Sequence, residues 1–229
     1  MKTLGLIGGL SYVSTLTYYK TINELTYEKL GGENSARLLL YSLNFQDYRT
    51  FADSGNWQGM EDSLTEISGL LENAGAQCIV ICSNTPHLLA DKVRKRINLP
   101  LIHIAEETGK EIKKNNIKKI GLLGTKFTMD SKFYNEKLAQ LGIETIIPDE
   151  KDRAYIHHTI INEFCKDIFK PETKQGYLNI IDKLKQQGIE GVILGCTEIN
   201  LLLNQKDLDI KVFDTIQIHC KAAVDFSLS

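Results

Sequence analysis

Short apolar runs alternate along the chain with longer segments in which apolar residues recur every three or four positions. The runs Leu4–Ile7, Arg37–Ser42, Cys78–Cys82, Leu101–His103, Lys119–Leu123, Glu144–Ile147, Gly191–Leu194 and Val212–Phe213 predict strands. Most are almost continuously apolar, as expected of strands covered on both faces. The segments Ser14–Lys29, Trp57–Ala74, Leu88–Ile97, Ala105–Asn115, Ser131–Leu141, Asp152–Asp167, Thr173–Gln187 and Ile216–Phe226 predict helices. Lys113-Lys114-Asn115-Asn116 and Gln186-Gln187-Gly188 read as helix ends before strands. Strand and helix in regular alternation predict an α/β fold of open parallel sheets flanked by helices.

The chain also resembles itself. Leu4-Gly-Leu-Ile-Gly8 is similar to Ile120-Gly-Leu-Leu-Gly124 at an offset of 116 residues, and the same offset brings Tyr18 onto Tyr134. Ile79-Val-Ile-Cys82 is similar to Val192-Ile-Leu-Gly-Cys196, with the cysteines 114 apart. Two segments in the same order at nearly one offset predict two similar α/β domains. Each half carries a cysteine where a buried strand ends, then a threonine, then a helix start. Ligands of open parallel sheets bind beyond the carboxyl ends of the strands. Two such halves facing one another would place Cys82 and Cys196 across a single interdomain cleft, the expected active site.

Composition removes other classes. The 229 residues suffice for one large domain or two small ones, and 42% hydrophobic with 24% charged residues is ordinary for a soluble protein. A net charge of −2 without a basic stripe gives no nucleic-acid signature. No apolar run approaches the ~20 residues of a membrane span, and Leu4–Ile7 is too short for the core of a signal peptide. A cytoplasmic location is expected, with no membrane partner. The five cysteines, at 78, 82, 165, 196 and 220, are an odd and scattered set, unlike a disulfide framework. There is no Cys-x-x-Cys or His-x-x-x-His spacing for zinc. The Cys-x5-Arg spacing of a phosphatase nucleophile also fails, because Leu88 stands six after Cys82.

What remains is chemistry at the strand ends. In Cys82-Ser-Asn-Thr-Pro-His87, the residues Ser83, Asn84 and Thr85 are good N-caps and Pro86 suits a first helical position. Free N–H groups there would hold a carboxylate and favour the Cys82 thiolate. The bland alternative is a buried cysteine before an ordinary capped helix. In Gly195-Cys-Thr-Glu198, Thr197 can cap a helix with Glu198 in its first turn. Gly8-Gly9-Leu10-Ser11 lacks the spacing of a dinucleotide loop or a P-loop, so it reads as a site wall. Its counterpart, Gly124-Thr-Lys-Phe-Thr128, offers Thr125 and Thr128 to a small anion. The histidines read as structural or solvated, with His219 nearest to a site role.

These motifs resemble the aspartate/glutamate racemase superfamily, most closely its aspartate racemase branch, over the whole chain. The residues that carry the resemblance are Gly8-Gly9-Leu10-Ser11 with Ser14-Thr15 and Tyr18-Tyr19, the two cysteine motifs, Leu123–Thr128, and Asp214-Thr215 with His219. The chain departs at Tyr12-Val13, where the family often carries Trp-Glu. It also carries Glu198 where the glutamate racemase branch has histidine, which argues against a cell-wall glutamate racemase. The resemblance implies two domains, residues 1–104 with 207–229 and residues 105–206. It also implies a homodimer, no pyridoxal phosphate and no metal. It further implies that Asn84 and Thr85 bind the α-carboxylate, helped by Thr125 and Thr128, and that Arg49 and Lys166 meet the side-chain carboxylate of a small acidic amino acid.

Two bases on opposite faces of one α-carbon, one thiolate and one thiol, would then racemise aspartate or glutamate. Ser11, Ser83 and Thr197 would complete the substrate contacts around Cys82 and Cys196. The same scaffold supports decarboxylases and isomerases of small dicarboxylates, but a decarboxylase needs only one proton donor. A non-catalytic binder of small molecules is the remaining alternative.

Overall fold

In the computed structural model, which describes residues 1–196 and 198–229, the chain divides into two units. The first is Met1–His103 with His219–Ser229, and the second is Ile104–Ile218. The first unit holds a parallel sheet of three strands, β1 (Leu4–Gly8), β2 (Leu38–Ser42) and β3 (Cys78–Ile81), in the order β2-β1-β3. Leu4 stands opposite both Leu38 and Cys78, which fixes the register. Every residue of β1 and β3 is buried. Each large aliphatic side chain so buried contributes roughly 1.5–3 kcal/mol, which is what holds strands this short in place.

The predicted strand at 101–103 shrinks to one parallel bridge between Ile79 and Leu101. Its ladder begins at Pro100, whose carbonyl accepts the Ile79 N–H at 2.8 Å but which has no N–H to give. Helix α5 (Ile104–Lys114) follows immediately. The other helices preceding it are α1 (Tyr12–Leu30), α2 (Phe45–Ser54), α3 (Trp57–Asn73) and α4 (Ala90–Arg94). The predicted helix at 88–97 is a 3-10 turn, Thr85–Leu89, running into the short α4. Helix α2 was not legible as a helix. The Asn44 side chain accepts the Gln46 N–H at its start, and Gly55 ends it in the left-handed conformation, φ 68°.

The second unit carries β4 (Lys119–Gly124), β5 (Glu144–Ile146), β6 (Gly191–Gly195) and β7 (Lys211–Asp214), all parallel, in the order β5-β4-β6-β7. Its remaining helices are α6 (Lys126–Asp130), α7 (Phe133–Ala139), α8 (Glu150–Asn162), α9 (Pro171–Gln186) and α10 (Ile199–Leu202), and α11 (Thr215–Leu228) begins in this unit. With Leu101 counted as a fourth position, the two sheets have the same order, which accounts for the internal sequence repeat. Residues 207–218 stay with the second unit rather than returning to the first, because β7 pairs with β6 from Gly191–Lys211 to Leu194–Asp214. The chain re-enters the first unit only at His219, inside α11. Among the described residues no helix is long and apolar enough to cross a membrane.

Candidate active site

In the first unit, the loop after β1 is drawn tight against the loop after β3. The Gly9 N–H donates to Thr15 Oγ1 (2.9 Å), and that hydroxyl donates to the Ser11 carbonyl (2.9 Å). Ser14 Oγ donates to the Cys82 carbonyl at 2.9 Å and lies 3.3 Å from that of Ser11. The first turn of α1 therefore holds both loops. Ser11 takes the strain of this arrangement: its φ is +114°, a region that L-residues avoid. Its side chain is 5% exposed, and Oγ is buried without a hydrogen-bond partner among the described residues. A strained backbone and an unsatisfied buried hydroxyl each cost on the order of 1–3 kcal/mol, and such costs gather at functional sites.

Cys82 continues the ladder of β3, its N–H donating to the Ile7 carbonyl at 2.9 Å. Its thiol is fully buried, and burial pushes its pKa up. The expectation of a favoured thiolate is not met here. The helix that follows is a single 3-10 turn with little dipole, so desolvation dominates. Asn84 stands at the cap position without a side-chain capping bond, and both Asn84 and Thr85 are buried. Ser83 is half-buried, and its carbonyl accepts from His87 Nδ1 at 2.7 Å.

Three histidines of the first unit take structural places behind Cys82. The ring of His87 lies 5.1 Å from that of His103 and 5.3 Å from that of His219. All three are buried. His219 Nε2 donates to the Ile102 carbonyl (2.9 Å), so Nδ1 accepts from the Tyr18 hydroxyl (2.8 Å). Burial lowers the His219 pKa to about 4. Burial, then the charges of His103 and His219, hold His87 well below its ordinary value. This buried cluster braces the backbone just beyond Cys82.

In the second unit, Cys196 follows β6, and its thiol donates to Glu198 Oε2 at 3.1 Å. Both side chains are buried, Glu198 at 2% exposure. Burial, then the Glu198 charge, then Cys165 push the Cys196 pKa well up. From the sequence, Glu198 reads as a helix-terminal carboxylate and as the departure from the glutamate racemase branch. The thiol contact was hidden because it depends on the turn after β6, which spacing does not fix. Thr125 caps α6: its Oγ1 accepts the Thr128 N–H at 3.2 Å and lies 3.1 Å from Thr128 Oγ1. The Thr215 hydroxyl ties the start of α11 to the Leu194 carbonyl at 2.9 Å.

The two cysteines are not strictly equivalent. Ile79 and Val192 hold matching places, opposite Gly5 and Gly121. Cys82 is three residues beyond the first, but Cys196 is four beyond the second. A one-residue difference moves a side chain to the other face of its strand.

The two basic residues are placed less tightly. Arg49, on α2, has Asp53 as its polar side-chain partner among the described residues, at 3.1 Å on the same helix. Lys166 is exposed on the 3-10 turn Phe164–Lys166. The Glu163 carboxylate closes that segment onto Lys170 (2.9 Å) and Thr173 (2.7 Å). Thr197 lies outside the described residues. Among the described residues no group of three or more His, Cys, Asp or Glu side chains could hold a metal ion.

Residues 7–223 match the profile of the Asp/Glu/Hydantoin racemase family. The chain is 24% identical over 234 positions to the broad specificity amino-acid racemase RacX of Bacillus subtilis, covering 99% of this chain and 98% of that one. It is similar to the crystal structure of a Yersinia pestis protein provisionally assigned as an Asp/Glu racemase, with 44% identity, full coverage of both chains and a TM-score of 0.93. It is also similar to an aspartate racemase homologue from Pyrococcus horikoshii OT3, with 35% identity, full coverage of both and a TM-score of 0.88.

Proposed function

The chain belongs to the Asp/Glu/hydantoin racemase family, whose members are isomerases acting on amino acids, and on that premise we propose that it interconverts L- and D-aspartate by two-base proton transfer between Cys82 and Cys196. The observation that carries this reading is the buried thiol–carboxylate pair of Cys196 and Glu198, 3.1 Å apart. The carboxylate charge holds the resting thiol protonated, and the same carboxylate can accept the thiol proton as the cysteine turns to the substrate.

The thiolate of one cysteine removes the α-proton, and the thiol of the other delivers a proton to the opposite face. Thiol and thiolate are then exchanged, and the reverse reaction or exchange with water restores the starting state. Glu198 accepts the Cys196 proton when that residue serves as base. The developing negative charge on the substrate carboxylate needs fixed donors. Asn84 and Thr85 supply them from the Cys82 loop and Thr125 and Thr128 from the β4 loop, with Ser11, Ser83 and Thr197 as further substrate contacts. The unpartnered Ser11 hydroxyl supports this assignment, since a substrate oxygen would satisfy it. Arg49 is fit for bidentate pairing with a side-chain carboxylate and Lys166 for a point-charge contact. Arg49 would have to exchange Asp53 for the substrate.

The test is a screen of amino acids for α-proton exchange in deuterated water with no added cofactor. Exchange and racemisation of aspartate, ahead of neutral amino acids, is the expected result. Binding of aspartate without exchange would reduce the protein to a binder.

A further inference from the structure

The donors and cations proposed for the substrate serve its two carboxylates. None of them offers a negative charge to the α-ammonium, and Glu198 is committed to Cys196. A pair of acceptors stands close by in the second unit. Strand β7 ends at Asp214, which lies opposite Leu194 in the ladder with β6, two residues before Cys196. With strands about 4.8 Å apart and a rise of about 3.3 Å per residue, the Cα atoms of Asp214 and Cys196 are roughly 8 Å apart. Two short side chains at that separation can reach one small ligand. Thr215 pins this corner to the Leu194 carbonyl at 2.9 Å. Asn200 enters it from the loop after β6, where the Ile199 N–H donates to the Cys196 carbonyl at 3.2 Å.

The hydrogen bonds at this corner are one-sided. Asp214 Oδ1 accepts from Asn200 Nδ2 (2.6 Å) and from the N–H groups of Ile216 (2.8 Å) and Gln217 (3.1 Å). Oδ2 takes part in none of these bonds. A carboxylate only accepts, so Asn200 must turn its NH₂ toward Asp214 and its carbonyl oxygen away. That oxygen, Oδ1, is buried and has no hydrogen-bond partner among the described residues. Burial raises the Asp214 pKa, and only the hydrogen bonds from Gln217, Ile216 and Asn200 oppose it, with no cation contributing. A half-satisfied buried carboxylate beside an orphan amide oxygen calls for a small cation that carries N–H donors.

We propose that Asn200 Oδ1 and Asp214 Oδ2 bind the α-ammonium of the substrate. The assignment rests on the proposed racemase activity, which supplies an amino acid as the ligand. One ammonium satisfies both acceptors, and the Asp214 charge keeps it protonated. A protonated nitrogen withdraws electrons from the α-carbon and makes its hydrogen easier to remove. The pair also selects the substrate class. A hydroxy acid or a plain dicarboxylate would leave the carboxylate and the amide oxygen unmatched, and a site built for an N–H group rejects an analogue that lacks it.

Calorimetric titration of the full chain with L-aspartate and with succinate, which lacks only the amine, tests this. The native chain should bind aspartate the more tightly. Asp214→Asn keeps an oxygen for the three hydrogen bonds but removes the charge. It should weaken aspartate about 10- to 100-fold and leave succinate within about twofold. Asn200→Ala leaves the Asp214 bonds to Ile216 and Gln217 in place and should weaken aspartate alone, about 3- to 10-fold; it decides the matter if the first variant fails to fold by circular dichroism. Equal weakening of both ligands in a folded variant would mark a structural role and overturn the proposal. So would unchanged aspartate binding, or a native chain that binds succinate as tightly as aspartate. Titration reads binding and not turnover, so a chain that binds aspartate without racemising it would refute the proposed activity and still show the difference between the two ligands.

Discussion

Replacing Gly9 with alanine perturbs both the fold and the site. Gly9 has φ +76°, and a Cβ there would lie 2.0 Å from the Leu43 carbonyl oxygen and 2.5 Å from the Leu43 nitrogen. The left-handed backbone costs an L-residue about 1–2 kcal/mol. The clash is with backbone, so the chain after β2 must move, which breaks the 3.0 Å bond from the Leu43 N–H to the Gly8 carbonyl. That loss adds about 1 kcal/mol, for a total of about 2–3 kcal/mol. Gly55 provides the control: φ is +68° and ψ 17°, but nothing lies within 4 Å of its added Cβ. Gly55→Ala should therefore cost only the backbone share. Trp57, the single tryptophan, lies in the first unit and reports its unfolding in urea. The expected result is a midpoint lowered about 1.5- to 2-fold more by Gly9→Ala than by Gly55→Ala, at unchanged slope. Racemisation should also fall in the Gly9 variant only, because Ser11 and Thr15 shift with the loop. Equal costs for the two substitutions would refute the close approach of Leu43.

Further outcomes follow from the other contacts. Glu198→Gln should lower the racemisation rate about 10²- to 10⁴-fold while leaving the thermal midpoint nearly unchanged, as the loss of a general base does. Cys165, half-buried, should react with iodoacetamide ahead of the buried Cys82 and Cys196, as read by peptide mass spectrometry. His219 is buried neutral, with a pKa of about 4 against an ordinary 6.5, so the unfolded chain binds the extra proton. Its contribution is complete above about pH 6.5 and is lost as pH falls toward 4, roughly 3 kcal/mol in all. Urea midpoints followed by Trp57 should show that fall, and His219→Gln should flatten it. Tyr18→Phe leaves His219 Nδ1 without its 2.8 Å donor and should cost about 1–3 kcal/mol in the same assay.

The strands and the repeat were legible because buried parallel strands leave uninterrupted apolar runs, as in Ile79-Val-Ile and Val192-Ile-Leu. The cysteines were legible because they stand where those runs stop. The segment at 101–103 has a strand's composition but starts at Pro100 and runs into α5, leaving room for one bridge. Segment 207–218 shows a strand at Val212–Phe213 but no sign of its pairing partner, which only the ladder with β6 reveals. The thiol acidity was misjudged because a capping sequence suggested a helix dipole, whereas the chain forms a 3-10 turn and buries the sulfur. The contact of Glu198 with Cys196 and the histidine cluster behind Cys82 depend on loop conformation and long-range packing, which residue spacing does not encode.

Exchange of the α-proton of L- and D-aspartate in deuterated water, followed by NMR and chiral chromatography for the native chain and for Cys82→Ala and Cys196→Ala, tests the central claim most directly. The two-base account predicts deuterated product of inverted configuration from the native chain and loss of racemisation in each variant. Undiminished racemisation in either variant would contradict it.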